Sequence, residues 1–183
     1  MSVKSEAKEK MQKALQHSFD EFSAIRTGRA NPALVEKIYV EYYGSKVPLQ
    51  QLASISVPEA RVLLISPFDK SAIVEIEKSI QSSDLGINPG NDGNVIRCVF
   101  PQLTEDRRKD LVKLAKSKAE ESKVSIRNVR RNSRQKIDEL KTSGEISDDE
   151  VSRLEKEVDT LTNEFIAEID VAATKKEAEL MEV

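Results

Sequence analysis

An α+β fold is predicted, a long three-helix bundle interrupted by a small inserted α/β domain, and three observations carry the prediction. All six prolines (Pro32, Pro48, Pro58, Pro67, Pro89 and Pro101) and four of the six glycines fall between residues 32 and 101. Proline removes a backbone donor and glycine weakens helices, so this middle reads as strands and turns. The flanks are nearly free of both and carry apolar residues three and four apart, the period of a helix with one buried stripe. Finally, 38% hydrophobic and 33% charged residues suit half-exposed helices better than a thick globular core.

In chain order, Val3, Ala7, Met11, Ala14, Leu15, Phe22 and Ile25 define the first helix, which is expected to stop near Thr27–Gly28. Segments 37–43, 61–65 and 94–100 have strand composition. Asp69 is placed to cap a short helix over 70–80, and 86–93, rich in Gly, Asn and Pro, reads as a turn-rich loop. Thr104 followed by Glu105 and Asp106 is an N-terminal helix signal. The helix it opens runs unbroken to about Lys141, with Leu111, Leu114, Ala115, Ser125, Val129 and Leu140 expected on its bundle side. Ser147 and Glu150 have the spacing of a capping box. The helix behind it buries Val151, Leu154, Val158, Leu161, Phe165, Ile169 and Ala172.

The second and third helices would each be on the order of 50 Å long, and neither could stand alone with a single apolar stripe. The short link at 142–146 makes them antiparallel neighbours, and the first helix completes the bundle. The expected domains are therefore 1–29 with 104–183, and 30–103. Two short connectors side by side predict a hinge at Gly28, Arg29 and Ala30 on one strand of the connection and Leu103 and Thr104 on the other.

Several function classes find no support. No run approaches the ~18–20 apolar residues of a membrane span, and the amino-terminal stretch has no apolar core of a signal peptide. A cytoplasmic protein is the expectation. Cys98 is the only cysteine and lies in an apolar strand segment; His17, the only histidine, lies on an amphipathic helix. Segment 86–93 lacks the Gly-Lys-Ser/Thr ending of a phosphate loop. The carboxylates show no metal-ligand spacing. No catalytic residue, metal or cofactor is predicted.

Charge is the informative feature. The formal net charge is −3 overall, but it is distributed as about +2 over 1–29, −2 over 30–104, +6 over 105–141 and −9 over 142–183. At ~100° per residue, Lys109, Lys113, Lys116, Lys123, Arg127, Arg130, Arg131 and Arg134 share about a 100° sector of the second long helix. Only Glu120 and Asp138 interrupt them, and Leu114, Ser125 and Val129 are expected on the opposite, bundle-facing side. Acids spaced for i,i+4 pairing are scarce between Lys123 and Arg134. The second half of the stripe uses arginine, whose planar fork grips phosphate. No aromatic residue occurs between 105 and 141, which disfavours stacking on single-stranded bases and favours the phosphates of folded RNA.

Seven motifs then give a specific resemblance: IRTGRANP (25–32), VEYYG (40–44), PLQQLAS (48–54), DLGINP (84–89), PQLTEDRRK (101–109), RNVRR (127–131) and KEAEL (176–180). In this order, across essentially the whole chain, they resemble the bacterial ribosome recycling factors. The resemblance implies a two-domain L-shape and a factor acting on the 70S ribosome after termination. With GTP-bound elongation factor G it would split the ribosome into subunits, the GTPase activity belonging to the partner. It implies contact of Arg127, Arg130 and Arg131 with large-subunit ribosomal RNA, with Arg26 and Arg29 as further contacts; the stripe adds Lys123 and Arg134. A monomer is expected. The competing readings are a helical-bundle adaptor, an RNA-binding module without recycling activity, and a basic helix lying on anionic lipid, which lacks the bulky anchors such a helix needs.

Overall fold

The computed structural model describes residues 2–182. In chain order the elements are α1 (Val3–Ala24), β1 (Tyr39–Tyr42), β2 (Ser45–Pro48), α2 (Leu49–Leu52), β3 (Ala53–Glu59), β4 (Val62–Pro67), α3 (Ile73–Gln81), β5 (Pro89–Asn91), β6 (Ile96–Val99), α4 (Glu105–Thr142) and α5 (Asp148–Met181). They form an α+β fold of two compact units. One runs to Ile25 and resumes at Lys109; the other is Arg26–Arg108.

The first unit is the bundle of α1, α4 and α5. Ser2 caps α1, its hydroxyl oxygen accepting from the Ser5 N–H at 3.2 Å. The helix ends at Ala24, earlier than expected, because Ile25 turns extended (φ −75, ψ 120) and returns its N–H to Phe22. Gly28 is left-handed (φ +80) but lies beyond that cap. Thr104 opens α4 by accepting from the Arg107 N–H at 3.2 Å. The capping box of α5 is complete: Glu150 N–H donates to Ser147 Oγ at 3.3 Å, and Ser147 N–H to Glu150 Oε2 at 3.0 Å.

The buried seam of α4 is Leu111, Ala115, Ala119, Ser122, Ile126, Ser133 and Ile137. This corrects the expected face. Leu114 is 43% exposed and Ser125 is also exposed, while Val129 is half-buried. Small residues make up more than half of this seam. Its hydroxyls cost little because each donates to a carbonyl four residues back, Ser122 to Lys118 and Ser133 to Val129, both at 2.9 Å. On α5, Thr162 does the same to Val158 at 2.8 Å. The α5 seam of Val151, Val158, Leu161, Phe165 and Ile169 continues through Ala173 to Leu180.

Ion pairs also link the helices. Lys136 of α4 donates to Glu6 of α1 at 2.6 Å, and Lys10 donates to the same carboxylate at 2.8 Å. The hydrogen bond from Lys10, then that from Lys136, holds the Glu6 carboxyl down at about 2. Protonating a carboxylate whose folded pKa is depressed favours the unfolded chain. The stabilisation is therefore complete above pH 4.5 and is lost as pH falls through 2. The thermal midpoint of Glu6→Gln should fall below that of the wild type at pH 6 and converge on it as the pH approaches 2. A gap independent of pH would refute this clamp.

The second unit has its own core, including Val35, Val40, Leu49, Leu63, Ile65, Ile76, Ile80, Ile96, Cys98 and Phe100. Strands β3-β4-β6-β5 form an antiparallel sheet, and β1-β2 is a separate hairpin. Three strands were expected and six are present among the described residues. The hairpin turns at Tyr43 (φ 47) and Gly44 (φ 77), the two successive positive φ values that a two-residue hairpin turn requires. β5 lies inside the expected loop: Pro89, Gly90 and Asn91 pair with Cys98, Arg97 and Ile96 through the backbone, at a sheet edge where proline is tolerated. Asp69 caps the turn before α3, accepting from the Ser71 N–H at 2.9 Å. Burial raises the Cys98 thiol to about 11, so it is un-ionised and unreactive near neutrality.

Candidate nucleic-acid interface

The basic stripe of α4 does not stand opposite the buried seam. With ~100° per residue, the seam centred on Ala115, Ser122 and Ile126 lies only about 110° around the helix from the stripe. The stripe therefore runs along the edge where α4 meets α5, and the acids of α5 reach part of it. Lys116 faces Glu177 at 3.9 Å, Lys123 faces Asp170 at 2.9 Å, and Arg134 faces Asp159 at 2.6 Å. Steps of seven and then eleven residues up α4 are matched by the same steps back along α5, as an antiparallel pair in fixed register requires.

That register divides the candidate residues into two classes. Lys123 is only 14% exposed and is shared between Asp170 and Glu120, the latter at 2.6 Å. Its hydrogen bonds to Asp170 and Glu120 raise its pKa and keep it charged. Arg134 Nη2 donates to Asp159 Oδ2, while Arg134 Nε and Asp159 Oδ1 are buried without partners. It is a one-point grip rather than a fork. Both side chains are committed to α5.

Arg127, Arg130 and Arg131 are exposed. None of the ion pairs or hydrogen bonds among the described residues involves them. The register sets Arg127 across from Ile166 and Arg130 across from Asn163, neither of them acidic. No acid lies three or four residues away along α4 either. With Arg134, Gln135 and Asp138 they border an open surface depression of about 410 Å³. Three guanidinium forks on two successive turns, uncompensated and solvated, can each donate two parallel hydrogen bonds to phosphate oxygens.

The remaining candidates sit in the α/β unit. Arg26 is half-buried, donating from Nη2 to the Pro101 carbonyl at 2.9 Å with its guanidinium 5.5 Å from the centre of the Phe100 ring. Burial, and then the neighbouring Arg107, lower its pKa from the usual arginine value. This arginine braces the chain where it leaves β6. Arg29 is exposed. The Gly28 Cα is close to Leu103: a Cβ there would meet Leu103 Cγ at 3.5 Å, an ordinary contact, so positive φ rather than crowding calls for glycine. Ala30 is anchored, its N–H donating to the Ala60 carbonyl at 2.8 Å, which proline at this position would abolish. Thr104 is the α4 cap.

The residues that sequence reasoning missed are Asp159, Asp170 and Glu177, which decide which cations stay free. Their signal was the −9 charge of 142–183, but charge alone does not supply a register. Among the described residues no cluster of three His, Cys, Asp or Glu side chains could hold a metal, and no helix is long and apolar enough to cross a membrane.

Comparison with known proteins agrees with this architecture. The family model for ribosome recycling factor matches residues 19–181. The ribosome-recycling factor of Cutibacterium acnes is 55% identical over 178 residues, 97% of each chain. That of Kineococcus radiotolerans is 56% identical over 97% of this chain and 96% of its own. A solution structure of a ribosome recycling factor superposes with a TM-score of 0.83 at 45% identity, covering 99% of this chain and 96% of the other. The T. thermophilus ribosome recycling factor, described with E. coli elongation factor G on the E. coli post-termination complex, aligns over the whole of both chains with a TM-score of 0.70 and 44% identity. With a matching family model, majority identity across nearly the full length and the same fold, this chain belongs to the ribosome recycling factor family.

Proposed function

We propose that this chain binds the post-termination 70S ribosome through its helical bundle and, with elongation factor G and GTP, splits it into subunits, freeing mRNA and tRNA. It does so as a cytoplasmic monomer without chemistry of its own, nucleotide hydrolysis belonging to the translocase. The observation that carries the reading, beyond family membership, is that Arg127, Arg130 and Arg131 remain exposed and uncompensated while the basic residues on either side are paired with α5. A solvated helix face would gain from local acids; a face kept free of them suits large-subunit RNA phosphates. Arg29 is an accessible further contact, whereas Lys123 and Arg134 support the α4 interface through their pairs to α5, and Arg26 is held within its own unit on Pro101 and Phe100.

The connectors at 28–30 and 103–104 are proposed to act as the hinge on which the α/β unit turns when the translocase pushes. The left-handed Gly28 beside Leu103 supports this. A long, proline-free α4 is stiff enough to pass on such a push. Sedimentation of post-termination ribosomes tests the whole reading. Folded protein with elongation factor G and GTP should convert 70S particles to subunits, and leaving out any one of the three should not. Intact 70S particles in the complete reaction would overturn it.

A further inference from the structure

A second cluster of cations lies away from α4. Lys4 and Lys8 of α1 and Arg153 and Lys156 of α5 line one open groove of about 430 Å³. Two carboxylates also line it, Glu157 and Glu164, and Glu157 is engaged by Lys4 at 3.5 Å. Lys8, Arg153 and Lys156 are exposed, and no ion pair among the described residues involves them. Arg153 also lies within electrostatic reach of Glu150, whose carboxylate is already bound by the Ser147 cap. Residues 142–183 hold thirteen acids and only four bases, and two of those four face this groove. The sign of the surface is therefore reversed locally on the most acidic helix of the chain. The lining contains no aromatic side chain, so it offers phosphate contacts rather than base stacking.

We propose that this α1/α5 groove is a second binding surface for the phosphate backbone of folded RNA. The proposal rests on the ribosomal reading above and extends it. Lys4 pairs with Glu157, Lys136 with Glu6 and Arg134 with Asp159, so the new cluster stands at the Arg134 end of the stripe. It lies on the other side of α5. A three-helix bundle is roughly 20 Å across, and one straight duplex cannot touch both grooves of α5 at once. The outer half of the bundle is thus gripped between two RNA segments rather than laid on one.

The test compares Lys8→Gln/Arg153→Gln/Lys156→Gln with wild type for binding to purified large subunits across a salt series. Binding should weaken about tenfold or more at moderate salt, and the log–log salt slope should become shallower by about two. Helicity and thermal midpoint should not change, since these side chains are exposed and unpaired; should the triple variant misfold, Lys8→Glu alone provides the same comparison. Wild-type affinity and slope in the variant, alongside weakened binding by Arg130→Ala/Arg131→Ala, would overturn the second surface and leave the first standing. Normal binding by the Arg130→Ala/Arg131→Ala variant would instead sink the assignment of the α4 stripe, and a wild-type protein that does not bind large subunits would sink the ribosomal reading itself. Weakened binding to whole subunits with unchanged binding to protein-free large-subunit RNA would assign the groove to an acidic protein segment and overturn the RNA proposal.

Discussion

Replacing Arg127, Arg130 and Arg131 together with alanine should lower affinity for the large ribosomal subunit by on the order of 10²-fold or more. Each charge-assisted hydrogen bond to phosphate contributes about 1.5–3 kcal/mol, although such contributions are not strictly additive. The salt slope should fall by about two to three, one for each phosphate released. Folding stability should move by less than about 0.5 kcal/mol, because the three side chains are exposed and have no partners to lose. Arg134→Ala should behave in the opposite way. It removes a cross-helix pair to Asp159 that is part-exposed on both sides, so it should cost about 0.5–1 kcal/mol of stability and weaken binding less than Arg130→Ala does. Equal binding defects in Arg130→Ala and Arg134→Ala would show that the α5 acids do not partition the stripe.

Phe100→Ala should have the largest effect on stability, about 3–5 kcal/mol, as expected for emptying a fully buried aromatic site. Phe100 closes the core of the α/β unit, ties its N–H to the Arg61 carbonyl at 2.8 Å and carries the Arg26 guanidinium over its ring. The two units have separate cores, so the loss should be local. Hydrogen exchange should quicken at Leu63, Ile65 and Ile96 while the amides of Ile126 and Ile169 keep their protection. Equal acceleration in both sets would mean that the units unfold as one.

Much of the architecture was legible in residue order. Proline and glycine confined between 32 and 101 marked the α/β insertion, and the caps at Thr104 and Ser147 stand where spacing put them. The missed strands have separate causes. β3 (Ala53–Glu59) does alternate Ala53, Ile55 and Val57 with Ser54 and Ser56, but Pro58 interrupts the run. β2 (Ser45–Pro48) is only four residues, half of them polar, and β5 is held by backbone pairing alone. The α4 seam was misplaced because residue type misled. Leu114 looks like a core residue and Ser122 does not, yet Leu114 is exposed and Ser122 is buried with its hydroxyl satisfied by the Lys118 carbonyl.

The candidate site divides in the same way. Helical rotation, a local property, is enough to gather Arg127, Arg130, Arg131 and Arg134 on one face of α4, and the scarcity of acids around them can be read off the chain. Which of them remain free cannot. Lys123 and Arg134 meet Asp170 and Asp159 because two helices, joined by a turn at 143–147, settle into one antiparallel register, and that register leaves Arg127 opposite Ile166. Register follows from how the side chains of all three helices interlock, a cooperative packing outcome that no single stretch of sequence contains. The sequence decided that α4 would be basic; packing against α5 decided which of its charges are left to bind RNA.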